Sequence, residues 1–301
     1  MKLIKEGIYR INRDIINSVS IKKINKLKKS ADEVSRLRSR VLYHSSTNSN
    51  PQHMFICFSA KSIVEVSMHT FAESFLINSG VAQYRFYKKN GNTFHDIRMS
   101  SASMKGNFYA FIAPHIPHRF FPISDYVLAN EVGHSSFLKE NTYYGSKQKF
   151  EKANNINSEE IASQPIVKSS VTTFIKENSN LYTFYSKTGI AELSFDAVND
   201  LALKVKKSFC LMPNLKMLKN RKSNKQAEKF YVITGNDQIE IYLQNSIIHS
   251  IYGDATITVN RSNQQINPSK LFVLGPLKNQ KVKIANKKKE IAIIHVTTEK
   301  K

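Results

Sequence analysis

Cysteine and acidic side chains are the scarce residues of this chain. Its two cysteines, Cys57 and Cys210, exclude a disulfide framework and a four-cysteine zinc site. Asp and Glu number 23 against 45 Lys and Arg, for a net charge of +22. That balance excludes an acidic solvating protein and makes an anionic partner one class to weigh. No apolar run approaches the ~18 residues of a membrane span. The opening MKLIKEGIYRINRDIIN interrupts its apolar residues with charges, so it lacks the apolar stretch of a signal peptide. A cytoplasmic protein without a membrane span is the expectation. Nucleophile and nucleotide signatures are missing as well: there is no G-x-S-x-G elbow, no P-loop and no G-x-G-x-x-G. No carboxylate pair stands in a context that suggests glycoside hydrolysis.

What is present argues for a folded chain. Hydrophobic residues make up 41% and charged residues 23%, close to the globular norm. The basic excess gathers in residues 1–40, 201–230 and 278–301. A nucleic-acid binder adds a reading motif to its charge, and none is found, so nucleic acid is an unfavoured partner.

The periodicity divides the chain into a helical arm, a β domain, a linker and a second β domain. Ile15, Ile16, Val19, Ile24, Leu27, Val34 and Leu37 recur at three- and four-residue steps, which predicts helix across residues 13–40. From Val41 the period becomes two. Strands are predicted at 54–59, 64–69, 73–79, 83–87, 94–99, 108–113, 118–121 and 127–132, with Asn90-Gly91 turning one hairpin. Residues 145–178 lose the pattern and read as a polar linker. Beyond it, a helix is expected at 195–207 with Ser194 as N-cap. Strands are expected at 181–186, 215–218, 229–234, 238–243, 255–259, 271–274, 281–284 and 291–296. The resulting domains are 1–45, 46–145, 146–178 and 179–301.

The two β segments share spacings. Glu73 precedes Gly80 by seven positions, as Glu228 precedes Gly235, and Pro114 precedes His118 by four, as Pro276 precedes Gln280. An internal repeat is the economical reading.

Ser67-Met-His69-Thr-Phe-Ala-Glu73, followed after six residues by Gly80, resembles the first motif of the cupin superfamily. Ile112-Ala-Pro114-His115-Ile-Pro-His118 resembles the second. With Met1-Lys-Leu-Ile, Leu37-Arg-Ser-Arg-Val-Leu-Tyr-His44 and Glu131-Val, roughly residues 1–140 resemble WbuC-type cupin-fold metalloproteins, found with O-antigen-like polysaccharide synthesis genes. The resemblance implies a mainly β protein of two jelly-roll barrels behind an N-terminal helical arm, the second barrel degenerate. It also implies a divalent metal ion (Fe, Zn, Mn or Ni) on His69, Glu73 and His118, and a sugar-like ligand.

Two imidazoles and a carboxylate on one face leave coordination positions open for water or substrate. Two signature positions depart from the family: Ser67 replaces the first histidine and His115 replaces a turn glycine. Ser67, His115, His44 and His53 are the further candidates for the pocket. His95, His134, His249 and His295 lack supporting context and are expected to be structural. Asn224, Glu228 and Gln280 are expected to hold no metal, with the second barrel serving as scaffold or homodimer surface and Glu228→Gln leaving metal content unchanged.

Three functions compete. The first is a metalloprotein acting on a sugar or sugar nucleotide. The second is a non-catalytic bicupin that binds an anionic saccharide. The third is a basic nucleic-acid-associated protein whose binding falls steeply with salt. Whether the chain is an enzyme is open at this point.

Overall fold

The computed structural model describes residues 2–10, 17–20, 26–44, 46, 48–135, 141–144, 147–167, 173–178, 181–213, 228–268, 270–274 and 280–298. Among these the protein is mainly β. The N-terminal stretch holds β1 (Lys2–Lys5), β2 (Ile8–Arg10), β3 (Asn17–Ser20), one helix α1 (Lys26–Glu33) and β4 (Arg38–Leu42). The expected helical arm is therefore corrected to four strands and a two-turn helix. Of the apolar residues at three- and four-residue steps, Leu27 is buried on the helix and Val19 lies on β3; β2 lies parallel to β4, and β3 pairs with β23 (Lys270–Leu274) near the other end of the chain.

The first half continues with β5 (Gln52–Ser59), β6 (Ser67–His69), β7 (Glu73–Ser79), β8 (Val81–Tyr87), β9 (Thr93–Ser100), β10 (Asn107–Ile112), β11 (His118–Pro122) and β12 (Tyr126–Gly133). β13 (Thr142–Tyr144), α2 (Lys147–Asn155), α3 (Ser158–Ser163), β14 (Phe174–Asn178), β15 (Leu181–Tyr185), β16 (Ile190–Ser194), α4 (Phe195–Val205) and β17 (Phe209–Pro213) follow. The stretch predicted as patternless linker thus carries two helices. They escape a pattern search because few apolar residues anchor them: Phe150, Ala153 and Ile161 are buried among polar neighbours. Ser194 caps α4 as expected, its hydroxyl accepting from the Ala197 N–H.

The second half holds β18 (Glu228–Ile233), β19 (Gln238–Leu243), β20 (Ser246–Tyr252), β21 (Ala255–Val259), β22 (Ser262–Ile266), then β23, β24 (Gln280–Asn286) and β25 (Ala292–Thr298). The strand expected at 215–218, together with Asn224, lies outside the described residues.

The strand orders of the halves run in step. One layer of the first half reads β5-β12-β7-β10, and one of the second reads β18-β25-β20-β23. The facing layers read β6-β11-β8-β9 and β19-β24-β21-β22. This places Glu73, at the head of β7, opposite Ser246 at the head of β20, and His118 opposite Gln280. The alignment of Glu228 with Glu73 is thereby corrected, since Glu228 heads the counterpart of β5. Gly80 and Gly253 corroborate the register. Both have positive φ, +87° and +71°, and a Cβ on either would strike a carbonyl at the start of a strand, that of Tyr126, the first residue of β12, for Gly80 and that of Ile291, just before β25, for Gly253. Among the described residues neither half closes into a barrel. The first half's layers join through one parallel pair, Asn107 with Met99, and the second half's sheets stay separate.

Alternation sorts the side chains into three apolar layers. Met54, Ile56, Phe75, Ile77, Val127 and Ala129 fill the inside of the first half. Tyr231, Ile233, Ile248, Ile257, Ile284 and Ile294 fill the second. Between the halves lie Leu76, Tyr109, Phe184, Leu211, Phe230 and Ile293. β5 is buried along its whole length because its other face, Phe55 and Cys57, packs with Leu27 and Ala31 of α1 and with Ile247 of β20.

Candidate metal centre

β6, β7 and β11 bring His69, Glu73 and His118 to one point inside the first half. β6 and β11 pair at Ser67 and His118, and β7 lies in the opposite layer. One ligand atom from each of the three residues falls within 4.8 Å of the others, and all three residues are buried. Among the described residues this is the one group of His, Cys, Asp and Glu with spacing suited to a metal ion.

The proton placement suits a metal too. His118 Nδ1 donates to the Ile116 carbonyl at 2.8 Å, which leaves Nε2 with its lone pair toward the centre in the neutral ring. That Nε2 lies 2.5 Å from Glu73 Oε1, yet Oε1 is buried without a hydrogen-bond partner. Together with His69 Nε2 these two atoms have the mutual spacing that ligands of one ion have. His69 Nε2 is 3.4 Å from Glu73 Oε2, and its Nδ1 is 3.0 Å from the Thr142 hydroxyl on β13. Burial alone would raise Glu73, but His118 and His69 hold it below the usual carboxylate range. Burial presses both imidazoles down. It prevails at His69, whereas the Glu73 charge carries His118 above its ordinary value.

A cavity of about 580 Å³ opens over these residues. Phe58, Phe75, Tyr84 and Phe120 give it an aromatic wall, and Arg36, Arg38 and Arg40 line it from the chain around β4. Glu131 of β12 lines it as well. Its carboxyl is raised to about 7, first by burial and then by Glu73, against the pull of Arg40 and Arg38. The sequence offered Arg38, Arg40 and Glu131 only as segments of the family resemblance and placed none of the four charged residues in the pocket, since nothing local links the segment around β4 to the end of β12.

Of the further pocket candidates, Ser67 lines the cavity. His115 is exposed in the turn and does not line the cavity; its φ of +64° is the left-handed conformation that glycine adopts most readily. His44 and His53 are buried away from the cavity lining. His44 Nδ1 meets the His53 carbonyl at 3.1 Å, and His53 Nε2 meets Asn130 Oδ1 at 2.9 Å. Both are corrected from pocket to core: His53 shares the face of β5 that carries Phe55 and Cys57, and buried His44 is tied to the His53 carbonyl.

The comparisons with known proteins agree with this fold. The chain is similar to the salicylate 1,2-dioxygenase of Pseudaminobacter salicylatoxidans at 9% identity, with a TM-score of 0.62 over 95% of this chain and 84% of that one. A variant of the same enzyme in complex with gentisate matches at 9% identity and a TM-score of 0.61, over 95% and 83%. The chain thus has the fold of the cupin superfamily. A family model described as a domain of unknown function, DUF6016, matches residues 19–99, a span that includes His69 and Glu73. No curated protein matches the sequence. No helix among the described residues is long and apolar enough to cross a membrane.

Proposed function

We propose that the chain is a cupin-fold metalloprotein that binds a small organic anion against a divalent ion held by His69, Glu73 and His118. The observation that carries this reading is the meeting of three arginines, Arg36, Arg38 and Arg40, with the buried two-histidine, one-carboxylate set in one cavity. A bound ion would act as a Lewis acid with open positions. Guanidinium groups recognise carboxylate and phosphate oxygens through paired N–H donors, so Arg38 and Arg40 would fix the anionic end of the ligand. The aromatic wall would take its apolar or ring face. Glu131, with its carboxyl raised to about 7, is placed to hold or accept a proton beside the bound ligand near neutral pH. The enzymes of similar fold act on salicylate or bind gentisate, which are aromatic carboxylates. The sugar nucleotide suggested by the WbuC-type resemblance carries the same anionic chemistry on phosphate.

The second half, in this reading, is a degenerate cupin-like domain. Its strand order follows the first, but Ser246 and Gln280 stand where Glu73 and His118 stand, and its interior is apolar. The domain division, the soluble cytoplasmic setting and a homodimer belong to the same proposal.

Calorimetric titration of the zinc-loaded chain with gentisate, with a nucleoside diphosphate sugar and with a neutral sugar tests it. One of the two anions is expected to bind, the neutral sugar not. Arg38→Gln or Arg40→Gln should weaken that binding by about tenfold, since a hydrogen bond to a charged group contributes about 1.5–3 kcal/mol. Equal binding of the neutral sugar, or no effect of either substitution, contradicts the reading.

A further inference from the structure

We infer that Glu228, a residue of the second half, is a positioning residue for Glu73, acting through β7 from the side opposite the cavity. The inference rests on the metal reading of His69, Glu73 and His118. It goes beyond that reading by giving the second half a part in the site.

Glu228 heads β18 and is wholly buried between the halves. Its Oε2 accepts from the Ser74 hydroxyl at 2.7 Å, from His134 Nε2 at 2.8 Å and from the Tyr109 hydroxyl at 3.3 Å. Its Oε1 accepts from His295 Nε2 at 2.9 Å. Only His295 belongs to the second half. The other three donors belong to the strand that carries Glu73 or to its flanking chain. Ser74 is the next residue along β7, and neighbours on a strand point to opposite faces. Glu73 thus looks into the cavity while Ser74 looks at Glu228. His134 follows β12, and its backbone N–H donates to the Ala72 carbonyl at 2.9 Å. Tyr109 lies on β10 opposite Leu76 of β7.

The head of β7 is therefore gripped from both faces. On one face its carboxylate meets His69 and His118, and on the other its serine meets a carboxylate from the second half. A buried carboxylate with four donors has one good geometry, and its removal leaves those donors unpaired. Ligand sets hold their function only within about 0.5 Å of the working geometry. Glu228 cannot itself be a ligand, because it lies on the far face of β7 and outside the metal-spaced group. The expectation that Glu228→Gln leaves metal content unchanged is accordingly sharpened: stoichiometry is kept and affinity falls.

The test uses the full chain, stripped of metal and titrated with zinc against a chelator of known affinity. Groups behind metal ligands typically contribute 10–100-fold to affinity. Glu228→Gln is expected to bind zinc about tenfold more weakly at the wild-type stoichiometry, and Glu228→Asp to recover part of the loss. In the metal-free protein, amide hydrogen exchange at residues 73–76 should quicken in Glu228→Gln, while residues 82–86 on β8 keep the wild-type rate. Unchanged affinity and unchanged exchange at 73–76 overturn the inference, as does a lower melting temperature with unchanged affinity. If Glu228→Gln fails to fold, Ser74→Ala decides alone, since it removes one hydroxyl and severs the direct link; wild-type zinc affinity there also overturns the inference. A wild-type chain that takes up no zinc defeats the metal reading instead, and exchange at 73–76 still decides whether Glu228 positions β7.

Discussion

The two halves use matching strand orders and put their polar residues in different places. In the first half one polar group lies inside, where His69, Glu73 and His118 face a cavity. In the second half the inside is apolar, and the buried polar groups lie outside, on the face of β18, β20 and β25 that meets the first half. There Glu228, His249 and His295 join His53, Asn78, Asn130 and His134. The difference teaches that the same strand order serves two uses of buried histidine. His69 and His118 meet a carboxylate beside a cavity, whereas His295 and His249 meet a carboxylate and amides where the halves pack.

The largest effect that separates the two groups is the response to acid. His53 and His249 are each lowered to about 3, first by burial and next by His295. They are neutral in the folded chain and take up protons on unfolding at any pH between about 3 and the ordinary 6.5. Stability is therefore full above about pH 6.5 and is lost as the pH falls through that window, by up to about 1.4 kcal/mol per pH unit for each histidine. His118 works in the opposite sense: its raised value favours the folded state below 6.5 and that contribution fades as the pH rises. Denaturant titrations across this range should show stability falling with acid in the metal-free chain, and a shallower fall in His53→Gln. An identical slope in that variant would mean that the interface histidines are not held neutral.

A smaller effect sharpens the likeness instead of the difference. Gly80 and Gly253 hold the same place, with positive φ and a carbonyl in the way of any Cβ. Forcing a side chain there costs about 1–3 kcal/mol. Gly80→Ala and Gly253→Ala should each lower stability in that range, by similar amounts in chemical denaturation. A cost at one glycine and none at the other would break the correspondence of strands.

Much of the first half from β5 to β12 was legible because its strands are short runs rich in Phe, Tyr, Ile and Val between turn residues. β7 falls on 73–79 as expected, and β19 and β21 in the second half match their predicted bounds. The metal-spaced residues were legible because the cupin motifs keep Glu73 and His118 at fixed distances from Gly80 and Pro114. β20, SIIHSIY, was missed; like β5, it is buried on both faces. Its Ser246-to-Gly253 spacing equals that of Glu73 to Gly80, but serine in place of glutamate hides the match and draws the eye to Glu228. The interface network was out of reach for a different reason. Glu228 meets Ser74 across 154 positions and Tyr109 across 119, and no local pattern encodes a contact of that range. The three arginines and Glu131 were equally distant from the motifs they join.

Zinc titration of the metal-stripped chain, read for stoichiometry and affinity in wild type, His118→Ala and Gln280→Ala, tests the central claim most directly. The account predicts one site per chain, lost in His118→Ala and retained at wild-type affinity in Gln280→Ala. Two sites per chain, or one site that survives His118→Ala and disappears in Gln280→Ala, would contradict it.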